Sequence, residues 1–205
     1  MAKLELWVAT GNRGKLNEFK MLLHHLEPAG LEIHAQSELP VFSPPPENGQ
    51  TFLENARIKA RALKAVKPGT WVVAEDSGLC VEGLNGLPGI HSARYAGPKA
   101  SDSENVAKLL KMMTLRPMPN RKAAFVCTLV VYDPNGNEHV FEGRLEGEIA
   151  TSARGTQGFG YDPVFIPEGE TKTLAELGLA YKNKVSHRSR AIANFAPILE
   201  QALKQ

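Results

Sequence analysis

Apolar positions from Leu4 to Ala9 form a run broken only at Glu5, which predicts a buried strand. Leu16, Phe19, Leu22, Leu23 and Leu26 then recur at helical spacing and predict an amphipathic helix. A short strand follows around Leu31 to His34. The stretch from Pro40 to Gln50, which contains Pro44-Pro45-Pro46, reads as a loop. It either flaps over something or simply crosses the surface. Thr51-Phe52-Leu53-Glu54 is a capping box, with Thr51 as N-cap and Glu54 reaching back, and the helix it opens runs to about Val66. Thr70 to Ala74 is a strand that Glu75-Asp76-Ser77-Gly78 closes, or that Leu79 to Val81 continues. Gly83 to Gly97 is glycine-rich and irregular. Ser101 with Glu104 makes a second capping box, for a helix to about Met113. Arg121 to Tyr132 and Asn137 to Ala150 flank the turn Asp133-Pro134-Asn135-Gly136, a clear antiparallel hairpin. Gly155 to Pro167 turns from glycine-rich to β-like. Thr173 with Glu176 caps a short helix, and Ser186 caps a last one that Pro197 should kink. These elements predict one α/β domain over residues 1–205, with a mixed parallel and antiparallel sheet flanked by helices.

Composition narrows the function classes. The chain has 205 residues, enough for one substantial core, and a net charge of +2. That charge makes no case for nucleic acid or an anionic membrane as partner. No apolar run approaches the length of a membrane span, and no signal-peptide pattern opens the chain, so a cytoplasmic location is expected. Cys80 and Cys127 lie in apolar strands and read as buried free thiols.

Four segments carry chemistry. Thr10-Gly11-Asn12-Arg13-Gly14-Lys15 joins the first strand to the first helix, a geometry that can hold phosphate through exposed N–H groups and the helix dipole. It is not a P-loop, because the spacing is wrong and Leu16 stands where a Ser or Thr should bind magnesium. Read alone, it is either a phosphate cradle or a plain connection. In Glu75-Asp76-Ser77-Gly78 the adjacent carboxylates leave a strand on opposite faces, so they are poor joint ligands for one metal. Asp76 is then a catalytic or metal-binding acid, or the start of an Asx-turn. Gly158-Phe159-Gly160-Tyr161-Asp162-Pro163 offers Phe159 either as a platform for a flat base or as a core residue under a loop. Lys182, Lys184, His187 and Arg188 cluster at the start of the last helix, where cations are disfavoured unless they bind something. Glu47 and Lys59, taken singly, read as a solvated loop acid and a surface lysine.

In order, the stretches TGNRGK (10–15), ENGQTFLENA (47–56), EDSGL (75–79), GLPGIHSARYAG (86–97), GFGYDP (158–163) and Ser186-His187-Arg188 resemble the inosine/xanthosine triphosphate pyrophosphatase family over almost the whole chain. The resemblance implies hydrolysis of ITP, dITP or XTP to the monophosphate and pyrophosphate. It also implies an elongated fold of two lobes around a cleft, a Mg²⁺ requirement and a homodimer. Carried over by position, Thr10 to Lys15 contact the triphosphate, Asp76 is the proton acceptor and Ser77 touches substrate. Phe159, Gly160, Tyr161 and Asp162 hold base and sugar, while Lys182, His187 and Arg188 read the base edge. Glu47 and Asp76 hold Mg²⁺, and Lys59 matches a lysine expected to help with phosphate. Two departures affect the expected metal shell: Pro46 replaces a common acid, and Glu75 stands where Asp is frequent. A pyrophosphatase for modified pyrimidine nucleotides and an idle nucleotide sensor are the other readings.

Overall fold

The computed structural model describes residues 3–115 and 120–204. The strands are β1 (Leu4–Ala9), β2 (Leu31–Ala35), β3 (Trp71–Val81), β4 (Lys122–Tyr132), β5 (Glu138–Ile149) and β6 (Phe165–Pro167). The helices are α1 (Arg13–Leu23), α2 (Phe52–Val66), α3 (Asp102–Thr114), α4 (Leu174–Leu177), α5 (Leu179–Val185) and α6 (His187–Ala202). The strands form one sheet of order β2-β1-β3-β4-β5-β6. β1 pairs in parallel with β2 and β3, and β6 runs antiparallel to β5, so the expected mixed α/β sheet is present.

By internal packing the chain divides into two compact units, Met1–Asp76 with Cys127–Gly143 and Arg188–Gln205, and Ser77–Val126 with Arg144–His187. In the first unit the sheet is buried on both faces, which explains its nearly continuous apolar strands. Leu6, Val8, Trp71, Val73, Leu129 and Val131 pack on one face with Phe19 and Leu23 of α1 and Ile192, Phe195 and Leu199 of α6. Their neighbours in sequence, Trp7, Ala9, Val72, Ala74, Val130 and Tyr132, pack on the other face with Ala56, Ala60 and Leu63 of α2. The two-residue period of the strand thus sorts alternate side chains to different helices. In the second unit Leu79 and Val81 join Val106, Leu109 and Met113 of α3, with Phe125, Leu145, Tyr161 and Phe165, in a separate core.

Local signals set most boundaries. Ser101 and Thr173 head complete capping boxes with Glu104 and Glu176. At α2 the box differs from expectation: Thr51 Oγ1 accepts from Glu54 N–H at 3.1 Å, but the Glu54 carboxylate accepts from Gln50 N–H at 2.6 Å, one residue earlier. α1 ends at Leu23, and a 3-10 turn over His24–Ala29 carries buried Leu26. α6 continues past Pro197. α5, which the sequence pattern did not predict, is a short helix between Gly178 and Ser186.

Phe195 is fully buried and meets Trp71 and Phe141 ring to ring. Phe195→Ala should destabilise the protein by about 3–5 kcal/mol, measured by urea unfolding.

Candidate functional site

β3 does not stop at Ala74 as the turn-like Glu75-Asp76-Ser77-Gly78 suggested; it runs on to Val81. Instead β1 stops. The parallel register ends at Ala9 paired with Ala74, so Glu75 and Asp76 lie just past the C-terminal end of β1, beside the turn that leaves it. The Asx-turn reading of Asp76 is therefore wrong, because the residue is inside a strand. Strand parity then decides what each carboxylate meets. Glu75 follows Trp71 and Val73 toward α1 and α6, and Asp76 follows Val72 and Ala74 toward α2.

Glu75 is buried in an ion-paired group. Its Oε1 is 2.7 Å from Lys15 Nζ, and Arg188 donates from Nε at 2.5 Å and from Nη2 at 3.0 Å to its two oxygens. Arg188 Nη1 donates to Glu18, which is also buried. Cys127 Sγ lies 3.4 Å from Glu75 Oε2. Two acids and two cations balance, as a buried cluster must. Burial opposes ionisation of Glu75, but the charges and hydrogen bonds of Arg188 and Lys15 outweigh it and hold the carboxyl well below its ordinary range. Burial, reinforced by the Glu75 charge, pushes the Cys127 thiol well up. Cys127 is therefore an inert core thiol.

Asp76 sits in a different environment. It is 6% exposed, and Asn55 Nδ2 donates to its Oδ2 at 3.2 Å. Lys59 Nζ lies 3.5 Å from its Oδ1 and 3.2 Å from Glu47 Oε2. Asn55 and Lys59 are four residues apart in α2, hence on one helical face. Burial raises the Asp76 pKa; Lys59 and Lys15 pull it down, and Glu47 adds to the rise. The adjacent acids thus have opposite shifts.

The turn from β1 into α1 is organised by its own side chains. Asn12 caps α1 by accepting from Lys15 N–H at 3.1 Å, and Asn12 N–H donates to Thr10 Oγ1 at 3.1 Å. Gly11, Asn12 and Arg13 are exposed. Lys15, with 18% of its side chain exposed, is tied back to Glu75. Exposed backbone at a helix N-terminus with a fixed ammonium beside it suits an anion.

In the second unit, the loop around Phe159 is held by carboxylates. Phe159 N–H donates to Asp162 Oδ2 at 2.9 Å, and Gly160 N–H donates to Asp102 Oδ2 at 2.7 Å. Lys182 Nζ is 2.6 Å from Asp162 Oδ2 and 4.1 Å from the centroid of the Phe159 ring. A Cβ on Gly158, at φ +82°, would come within 2.1 Å of Asp162 Oδ2, so only glycine fits there. Phe159 is half-buried and outside the core cluster; Tyr161 is the ring that enters it, with its hydroxyl donating to Ser92 O at 2.8 Å. Burial, with Tyr95 and Asp102 nearby, raises the Tyr161 pKa. His187 stacks on Phe125, with centroids 4.8 Å apart.

The cations of the last segment are distributed differently from the expectation. Lys182 and Lys184 occupy the last turn of α5, a helix end that favours positive charge; only His187 and Arg188 open α6. Lys182 and Arg188 are buried, so neither is solvated surface charge.

The model of the Ham1 family matches residues 6–198 of the chain. The chain belongs to the Ham1 family. A protein of Bdellovibrio bacteriovorus named dITP/XTP pyrophosphatase is 62% identical over 197 residues, covering 96% of this chain and 98% of that protein. The solved structure of the Staphylococcus aureus Ham1 protein superposes with a TM-score of 0.82 at 42% identity, covering 97% of this chain and 99% of that one. A HAM1 protein from Coxiella burnetii gives 0.85 at 38% identity with the same coverage.

In this Ham1 protein the first unit brings together Lys15, Glu47, Lys59 and Asp76, all singled out from sequence. The second gathers Phe159, Asp162 and Lys182. Ser77 is half-buried and follows Asp76 in β3. Asn55, Glu18 and Asp102 were missed. Glu18 had a readable signal, since it is a charged residue on the apolar face of α1 beside Phe19.

Arg188→Met leaves Glu75 and Glu18 buried without their shared cation and should destabilise the protein by about 3–5 kcal/mol in urea unfolding. The folded Glu75 has a lowered pKa, so the unfolded chain takes its proton first. The stability Glu75 contributes is present above its ordinary value of 4.5 and is lost as pH falls below it. Stability measured against pH should decline across that window, and the decline should be shallower in Glu75→Gln.

Proposed function

We propose that this Ham1 protein hydrolyses ITP, dITP and XTP to the monophosphate and pyrophosphate, with the whole chain acting as one catalytic domain. The observation that carries the reading is the pairing of Asp76 and Glu47 about Lys59 Nζ, with Asp76 two residues beyond the point where β3 pairs with the end of β1. The name dITP/XTP pyrophosphatase borne by a 62% identical relative supports the substrate class.

The donor set fits Mg²⁺. Asp76 and Glu47 provide hard carboxylate oxygens that already face one positive charge. Among the described residues no group of three or more His, Cys, Asp or Glu forms a metal cage. Mg²⁺ is commonly held by one or two carboxylates, with water and substrate phosphate completing the shell. When bound there, the ion offsets the charge of the triphosphate.

The chain's own residues do the rest. Residues of the turn from Thr10 to Gly14, together with Lys15 and Lys59, bind and orient the triphosphate. Asp76 accepts the proton of the water that attacks the α-phosphorus. The bond from that phosphorus to the bridging oxygen breaks, and pyrophosphate leaves. Ser77 contacts substrate beside it. For the base, Phe159 is the stacking face and Gly160 to Asp162 shape its surroundings. Lys182 and His187 supply donors that suit a 6-oxo purine and reject a 6-amino one, whereas Arg188, buried and donating to Glu75 and Glu18, holds that cluster. The enzyme works as a homodimer in the cytoplasm, with neither nucleic acid nor membrane as partner. No helix among the described residues is long and apolar enough to cross a membrane.

Product analysis with ITP and Mg²⁺ should give IMP and pyrophosphate; inorganic phosphate as the product, or no turnover, would sink the reading. Asp76→Asn should stay folded and lose roughly 10²–10⁴ in kcat. In a panel, kcat/KM for ITP and XTP should exceed that for ATP by up to about 10⁴. Equal values for ITP, XTP, GTP and ATP, or a preference for modified pyrimidine nucleotides, would reject the purine assignment.

A further inference from the structure

We propose that Asn55 is the positioning residue that holds Asp76 and the Glu47-bearing loop in register with each other. The proposal rests on the function assigned above to those two acids. Asn55 is fully buried in the first turn of α2. Its Nδ2 donates to Asp76 Oδ2 at 3.2 Å, and its Oδ1 accepts from Gly49 N–H at 2.9 Å. The orientation of the amide follows from its partners, because a backbone N–H only donates and a carboxylate only accepts.

Gly49 follows Glu47 by two residues, so one planar amide links the end of the proline-rich loop to strand β3. Glu47 Oε2 and Asp76 Oδ1 then meet the same Lys59 Nζ, at 3.2 and 3.5 Å. The contacts close a ring: Asp76, Asn55, Gly49, Glu47, Lys59 and back to Asp76. Asn55 is not needed as a helix cap, since Thr51 already caps α2. The loop also has little freedom to take another path. A Cβ on Gly49 would stand 2.7 Å from Glu54 Cβ and 2.8 Å from Asn55 Oδ1. The backbone therefore lies directly on the first turn of α2, and Asn55 supplies both its floor and its anchor. An aliphatic side chain at position 55 would leave the buried Asp76 carboxylate and the half-buried Gly49 N–H without this partner, and an aspartate would keep only the acceptor.

The test compares Asn55→Ala, Asn55→Asp and Gly49→Ala with the native protein. Readouts are kcat and KM for ITP with Mg²⁺, and Mn²⁺ binding by electron paramagnetic resonance with inorganic pyrophosphate present. Asn55→Ala should weaken Mn²⁺ binding and lower kcat by about 10–100-fold each, with KM for ITP little changed, as expected for a group that orients ligands. Gly49→Ala leaves the Asp76 bond in place and displaces the loop, so it should reproduce the loss of Mn²⁺ binding with a smaller loss of kcat. Asn55→Asp keeps the acceptor for Gly49 and sets a second acid against Asp76, so its main loss should be in kcat. If Asn55→Ala fails to fold, the other two variants decide. Native Mn²⁺ affinity and kcat in the folded variants would overturn the proposal, as would a change confined to KM. Should the native protein bind Mn²⁺ yet release no pyrophosphate from ITP, the assigned function fails, while the Mn²⁺ comparison still decides the role of Asn55.

Discussion

Burying Glu75 is the constraint on which the start of α1 depends. A carboxylate under helices α1 and α6 is tolerable only as an ion if cations accompany it. Arg188 and Lys15 do so, and Glu18 balances the second positive charge. The consequence is geometric. Strand β3, the first turn of α1 and the first turn of α6 are joined by charge-assisted bonds that have direction, unlike the apolar contacts around them. Lys15, exposed over less than a fifth of its side chain, is therefore held in place by Glu75. Apolar residues of similar volume could make the same core at least as stable. They could not hold an ammonium at the mouth of the turn.

Parity along β3 explains why neighbouring acids differ. One residue of offset moves a side chain from the α1 and α6 face to the α2 face. Glu75 meets two cations and stays ionised. Asp76 meets one shared lysine, one neutral amide and a second acid, and burial lifts its pKa.

Most of the fold was legible in the sequence because the signals are local. Alternation, capping residues and the Asp133–Gly136 turn set β1, β2, α2, α3, β4 and β5 within a residue or so of their observed limits, while α1 stops one turn before Leu26 and β6 spans only Phe165–Pro167. The errors arose where a local cue met a tertiary condition. Glu75-Asp76-Ser77-Gly78 has turn composition, yet β3 continues through it, with Leu79 and Val81 anchored in the core of the second unit. The brief α5 was invisible because seven residues give too little periodicity. For the same reason Lys182 was placed at a helix start when it lies at a helix end.

The candidate site was legible in a different way. Chemistry-bearing residues stood out where a reactive side chain was flanked by glycine or by another acid, as at Thr10 to Lys15, Glu75-Asp76 and Phe159. The residues that orient them did not, because orientation is a property of partners far along the chain. Asn55 reads as an ordinary polar residue near a helix start, and Asp102 as a first-turn acid that suits the helix dipole. Only the fold shows that one bonds Asp76 and the other bonds Gly160 N–H. Such residues are common in type at helix starts, so composition carries no trace of the second role. What separates them from simple caps is that the cap position is already filled, by Thr51 in α2 and by Ser101 in α3. Neither the Asn55 nor the Asp102 side chain bonds back to that cap as Glu104 does to Ser101, so their hydrogen bonds serve the residues they face.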